Sequence, residues 1–281
     1  MEWLDEIDGL SEAYPYSPEV DLPAEAEVLR VRGFRDLSPL AGVRGVRTLW
    51  VLDAGPGELA RVSALTPDLE TLVVGGRHVT DLDYLRGVGA PSTLVLWDHT
   101  KLERLDGIEV LGSLTSLTLD NVPRVHDLGP LAALSELRHL RLSVLMSRAM
   151  NSSDQLVDSL APLADLRRLE RLDCFCVRAR DGDLSPLYAL PHLEDVEIPL
   201  TYSSEQIARL AGVLGRGPDA WPAVKPTRRA PCKRCGADDE VMLVGVRRNA
   251  FVCRRCDAER VERHVAAFEA WRSDGAAVAT S

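Results

Sequence analysis

Four cysteines toward the C-terminal end carry the most specific chemistry in this 281-residue chain. They form two pairs, Cys232-Lys-Arg-Cys235 and Cys253-Arg-Arg-Cys256, separated by 17 residues. Two residues between cysteines let one tight turn aim both sulfurs at a common point, and Gly236 relieves the turn after the first pair. The spacing C-x₂-C-x₁₇-C-x₂-C falls in the range of four-cysteine zinc sites. Four thiolates complete a tetrahedral Zn²⁺ and leave no position for water, so the expected role of the ion is structural. Iron and redox chemistry are the other uses open to this spacing. So small a segment cannot bury enough surface to fold alone, which couples its folding to the metal.

The residues around the cysteines must position them. Val241–Val246 and Ala250–Val252 read as two short strands around Arg247, Arg248 and Asn249. With the cysteine pairs they resemble a zinc ribbon over about residues 230–258. Val261, Val265, Phe268 and Trp271 mark an amphipathic helix over about 257–272, and residues 273–281 read as a disordered tail. Lys233, Arg234, Arg247, Arg248, Arg254 and Arg255 cluster around the knuckles, where they are candidates for phosphate contact with a nucleic acid. Residues 225–260 hold ten Lys/Arg and five Asp/Glu, a balance of +5 within a chain of −10, which leaves −15 for the rest. An acidic body repels nucleic acid, and the same basic ribbon could dock on the chain's own acidic part. Phe251 is the one aromatic available for stacking in the ribbon.

Outside this module, residues with catalytic potential are not assembled by spacing. The sequence holds no P-loop, no GxSxG and no HExxH, and its six histidines are scattered. Cys174 and Cys176 lack a histidine placed to activate them. The chain reads as non-enzymatic, with no small-molecule substrate. No apolar run reaches the roughly 18 residues of a membrane span, and the start MEWLDEIDGL does not read as a signal peptide, so a cytoplasmic location and no membrane partner are expected.

The body of the chain is periodic. Apolar-x-apolar segments are anchored at Leu29, Leu49, Leu72, Leu94, Leu117, Leu140, Leu172 and Val196, at intervals of 20, 23, 22, 23, 23, 32 and 24 residues. Before four of the strand-like pairs runs an apolar frame of period three, starting at Leu105, Leu128, Leu160 and Leu184, as in Leu105, Ile108, Leu111, Leu114, Leu117 and Leu119. Period three marks 3₁₀-like turns and period two marks a strand. The segments DLSPL at 36–40 and 183–187, and DLGPL at 127–131, read as the turn between strands. These motifs resemble leucine-rich repeats, in the short internalin-like and phosphatase-regulator-like form, over about residues 25–200. The resemblance implies an α/β solenoid: an arc with a parallel concave sheet, here followed by a small Cys₄ zinc ribbon and a terminal helix. It implies little about function, since the scaffold serves many partners. The asparagine of the family motif, five residues after each anchor, is replaced by Phe34, Ala54, Arg77, His99, Val122 and Val177, so the asparagine ladder is absent or shifted and the arc is expected to be less regular.

The expected organisation is an N-terminal cap over 1–24 (Trp3, Leu4, Ile7), a solenoid over 25–216, a proline-rich linker over 217–231, the ribbon and helix over 232–272, and the tail. The solenoid ends in a capping helix that opens with the capping box Ser203–Gln206. The 32-residue interval holds an insertion around Ser147–Gln155, with Met146 and Met150 as adaptable apolar groups.

In the solenoid strand the residues flanking the leucines face the concave side. Trp50, Leu52, Val73, Val95 and Trp97 then form an apolar centre, with Arg141, Asp173 and Phe175 toward the acidic end. Either the tryptophans are exposed anchors for a protein partner, or they pack on each other or under a loop. The leading expectation is a protein-interaction scaffold that binds a partner on this face, with the ribbon as second contact; the alternative is nucleic-acid contact through the ribbon.

Overall fold

The structure is a computed structural model, and it describes residues 17, 21–144, 155–174, 176–227, 231–248 and 250–279. The expected capping residues Trp3, Leu4 and Ile7, the insertion methionines and Phe175 lie outside them.

All eight anchors fall on strands of one parallel sheet, ordered β1 (Val28–Arg32), β2 (Thr48–Leu52), β3 (Thr71–Gly75), β4 (Thr93–Trp97), β5 (Ser116–Asp120), β6 (His139–Ser143), β8 (Arg171–Asp173) and β10 (Asp195–Glu197). The anchors pair with one another in register, Leu29 with Leu49, Leu49 with Leu72, and so on to Leu172 with Val196. β7 (Gln155–Val157) and β9 (Val177–Ala179) form a separate parallel pair. This is a solenoid of leucine-rich repeats. Leucine repeats because each coil presents one inward face to the same core, and the anchor leucines are buried to within 1%.

The opposite side of each coil is made of 3₁₀ turns, and the Asp-Leu-Ser/Gly-Pro-Leu segments start three of them. Asp36 Oδ1 accepts from Ser38 N at 2.9 Å, Asp127 Oδ1 from Gly129 N at 2.7 Å, and Asp183 Oδ1 from Ser185 N at 2.9 Å. The aspartate closes the turn while the proline fixes φ at the first 3₁₀ positions. Repeat two uses two short helices instead, α1 (Pro56–Leu59) and α2 (Val62–Leu65).

The missing asparagine ladder has a replacement one residue earlier. Gly33, Asp53, Asp98, Asn121 and Cys176, each four residues after an anchor, take left-handed backbone with φ of 71°, 62°, 57°, 57° and 56°. Glycine, aspartate and asparagine tolerate this region best. The turn extends the ladder by one bond, with Gly33 N donating to Leu52 O, Asp53 N to Gly75 O, Asp98 N to Asp120 O and Asn121 N to Ser143 O, at 2.8–2.9 Å. Phe34, Ala54, His99, Val122 and Val177 then point into the core, whereas Arg77 is exposed.

The C-terminal region is more integrated than its sequence predicts. α3 (Ser204–Val213) caps the solenoid. The Ser203 hydroxyl accepts from Gln206 N at 3.2 Å, but Gln206 Oε1 turns away to accept from Leu184 N at 2.9 Å, so the capping box is half formed and its other half ties the cap to the last repeat. The proline-rich stretch is not only a linker. Val224–Pro226 is a strand, β11, which pairs antiparallel with β12 (Glu240–Leu243), itself paired with β13 (Phe251–Cys253). Residues 273–279 are not a disordered tail: α4 runs from Ala258 to Ala279. It continues because Gly275 lets it lie against α3, where a Cβ would sit 2.1 Å from Arg209 O. Phe268 of α4 is fully buried in the main core, while Val241, Leu243, Val252 and Val261 form a small separate one.

Candidate functional site

The two cysteine knuckles are built from backbone. Gly236 N donates to Cys232 O at 2.8 Å, Cys232 N donates to Ala237 O at 2.9 Å, and Gly236 takes a φ of +69°. The second knuckle closes with Asp257 N on Cys253 O at 2.9 Å and runs directly into α4. The turns bring Cys232, Cys235, Cys253 and Cys256 together with all four Sγ atoms within 4.8 Å of one another. Cys232 Sγ lies 3.9 Å from Cys256 Sγ, and Cys235 Sγ lies 3.6 Å from Cys253 Sγ. A tetrahedral ion with bonds of about 2.3 Å requires sulfur–sulfur edges of about 3.8 Å. The four residues can hold a metal ion.

Electrostatics favour a cation at the centre. Backbone N–H groups of Arg234 and Cys235 point at the Cys232 sulfur and lower its pKa to about 6. Cys256 is pushed up to about 12 by the neighbouring sulfurs, Cys235 first, and by burial. Asp257, which sequence reasoning passed over, links the knuckles: its carboxylate accepts from Cys253 N at 3.3 Å and pairs with Arg234. Its position directly after the second cysteine pair was the available signal.

The basic residues of the ribbon are exposed, but half are engaged inside the chain. Arg234 pairs with Asp257, Arg254 lies 3.8 Å from Asp239, and Arg247 Nε donates to Thr201 O at 3.4 Å. Lys233, Arg248 and Arg255 have no ion-pair partner among the described residues. The ribbon docks on the solenoid cap by close backbone approach rather than by charge: Ser204 Oγ donates to Val244 O at 2.8 Å, and a Cβ on Gly245 would sit 2.3 Å from Ser204 N.

On the concave face the expected columns are in register, with Arg30, Trp50, Val73, Val95, Thr118, Arg141 and Asp173 side by side. Of the two readings open for the tryptophans, packing holds for Trp50, while Trp97 stays half-buried. Trp50 is 6% exposed and forms a small core of its own with the buried Val73 and Val95, against which Trp97 packs. Gly75 makes this possible, since a Cβ there would lie 2.6 Å from Leu52 Cδ2 and 2.9 Å from Trp97 Cε3. The Arg30 guanidinium covers the Trp50 ring at 5.1 Å. Aromatic and branched side chains on adjacent strands, about 4.8 Å apart, gain more from packing on each other than from standing in water.

Leu52 and Trp97 stay half-buried, and Arg141 pairs with Asp173 at 3.2 Å. A polar groove of about 790 Å³ includes Arg141 and Asp173 and is lined besides by Thr48, Thr71, Thr93, Ser116, His139 and Arg171 among others. This hydroxyl column, one residue before each anchor, was legible in the sequence as four Thr/Ser in a row of repeats.

His99 is fully buried, with Nδ1 2.9 Å from Trp97 O; burial holds its pKa below the ordinary value. Cys174 is buried as well, and burial raises its thiol pKa far above the usual range. Among the described residues, no helix is long and apolar enough to cross a membrane.

No protein-family model matches the chain, and no curated protein matches it. Among solved structures it is similar to internalin C2 of Listeria monocytogenes, with 24% identity and a TM-score of 0.43 over 58% of this chain and 66% of that one. A second internalin of the same organism, inlF, matches with 21% identity and a TM-score of 0.44 over 65% of this chain and 49% of that one. The chain thus spans less than two thirds of the length of either.

Proposed function

We propose that this chain is a non-enzymatic protein–protein interaction scaffold whose concave face carries the partner. The observation that supports it most is the open groove along β2–β8, where hydroxyls and the Arg141–Asp173 pair line about 790 Å³. A groove lined by polar, adaptable hydrogen-bonding groups offers direct hydrogen bonds to a protein partner. Trp50, Val73 and Val95 act here as the packed layer that keeps this face rigid.

The ion at the four cysteines is proposed to be zinc in a structural role, because a closed set of four soft thiolates suits Zn²⁺ and leaves no site for a substrate. Free thiolates of this kind call for a reducing compartment, in keeping with a cytoplasmic protein. Nucleic-acid contact through Lys233, Arg248 and Arg255 is the second reading; it is disfavoured by the internal engagement of Arg234, Arg247 and Arg254.

The test is partner capture from native lysate, with and without nuclease, by wild type and by Thr93→Arg/Ser116→Arg, which fills the groove. A nuclease-resistant protein held by wild type and lost from the variant supports the scaffold. Capture unchanged by the variant removes the groove from consideration, and a catch abolished by nuclease moves the function to the ribbon.

A further inference from the structure

The eight-stranded sheet ends on β10, which among the described residues pairs only with β8. Asp195 N donates to Glu170 O at 3.1 Å and Glu197 O accepts from Cys174 N at 2.8 Å, so these two residues face inward along the sheet. In a parallel ladder alternate residues face opposite neighbours, which turns the backbone N–H and C=O of Val196 and Ile198 outward. No hydrogen bond among the described residues engages the backbone groups of either. Beside this edge lies a cleft of about 470 Å³, at the junction of the last strand, α3 and β11. Its walls are largely apolar (Ile198, Leu200, Ile207, Trp221, Pro222 and Val244), and Leu200 is 36% exposed.

Resting on the scaffold reading, we propose that this edge takes an extended segment of a protein partner as a ninth strand. A row of unpaired peptide groups next to an apolar cleft matches one ligand class, a β-strand whose backbone supplies hydrogen bonds and whose alternate side chains fill the cleft. The side chains of the opposite set emerge on the concave side, where the sheet column ends in Asp173 and Glu197. Glu194 and Glu197 have no ion-pair partner among the described residues. The segment is therefore one that alternates apolar and basic residues. The same carboxylates reject a second copy of this chain, whose net charge is −10.

The experiment uses the full chain and a fluorescent eight-residue peptide of alternating valine and lysine, read by anisotropy at about 0.15 M salt. Saturable binding is expected, weakened about tenfold or more by N-methylation of alternate peptide amides and by Glu197→Lys, with no binding of the valine–glutamate peptide. Absence of binding, or binding indifferent to N-methylation, overturns the proposal, the latter because it reflects only attraction to an acidic body. A dimer in sedimentation that Glu197→Lys disperses overturns it as well, since the edge is then occupied by a second copy. Thr93→Arg/Ser116→Arg leaves peptide binding unchanged, so a failed edge and a failed groove are told apart.

Discussion

Replacing Gly275 by alanine sets two physical effects against each other. The residue lies inside α4, and on helix propensity alone Gly→Ala stabilises by about 1 kcal/mol. Packing opposes this. A Cβ at 275 would lie 2.1 Å from Arg209 O, and a Cβ at Gly212 on the facing helix would lie 2.0 Å from Arg272 O. Real Cβ contacts stay beyond about 3 Å, so either substitution must drive α3 and α4 apart by about 1 Å. A gap of that size forfeits a quarter to a half of each dispersion contact across it. The contact shields Phe268, Ala208, Leu210 and Ala211, all buried to 0% exposure. Overpacking of this kind costs about 1–3 kcal/mol, and after the propensity gain we expect Gly275→Ala to be destabilised by up to about 2 kcal/mol. One separation relieves both clashes, so Gly212→Ala/Gly275→Ala should cost less than the sum of its parts. The assay is urea unfolding followed by far-UV circular dichroism. Gly112→Ala serves as the control, because nothing lies within 4 Å of its Cβ. A Gly275→Ala protein more stable than wild type would refute the close crossing of the two helices.

Other perturbations test the remaining elements. Trp50→Ala should cost about 3 kcal/mol in urea unfolding because the ring is 6% exposed over Val73 and Val95, while Trp97→Ala, half-buried, costs less; a Trp50 loss below about 1 kcal/mol would contradict the closed apolar floor. Cys253→Ser should abolish the binding of one zinc per chain, measured by atomic spectroscopy, and open residues 231–257 to protease while the circular dichroism of the repeats persists. Chelation that left that segment protease-resistant would show the metal to be dispensable for its fold. His99 and His264 are held below the usual 6.5 by burial, so near pH 6 the unfolded chain binds more protons than the folded one. Stability should therefore fall from pH 7.5 to 5.5, and His99→Asn should flatten its share of that slope; urea midpoints at the two pH values decide it.

Much of the molecule was legible in the order of its residues. The leucine period defined the strands, their neighbours and their register, because each coil meets only the next and one repeat dictates the geometry of the following one. The cysteine spacing likewise defined a four-sulfur cluster, since a two-residue knuckle closes on local backbone bonds alone. What pattern could not supply were facts that depend on distant segments. Whether Trp50 meets water was decided by Gly75 on the next strand and Trp97 on the one after, which together leave room for a closed layer. The Ser203–Gln206 box reads as local, yet Gln206 found a better-placed donor at Leu184, 22 residues away. Residues 273–279 carry too little apolar side chain to predict a helix by themselves. They are helical because a glycine on each of two helices lets their backbones touch, a contact that exists only once the cap, the ribbon and the terminal helix are folded together. Periodicity and local turns are short-range properties and are written in sequence; burial, docking and free edges are sums over the whole fold.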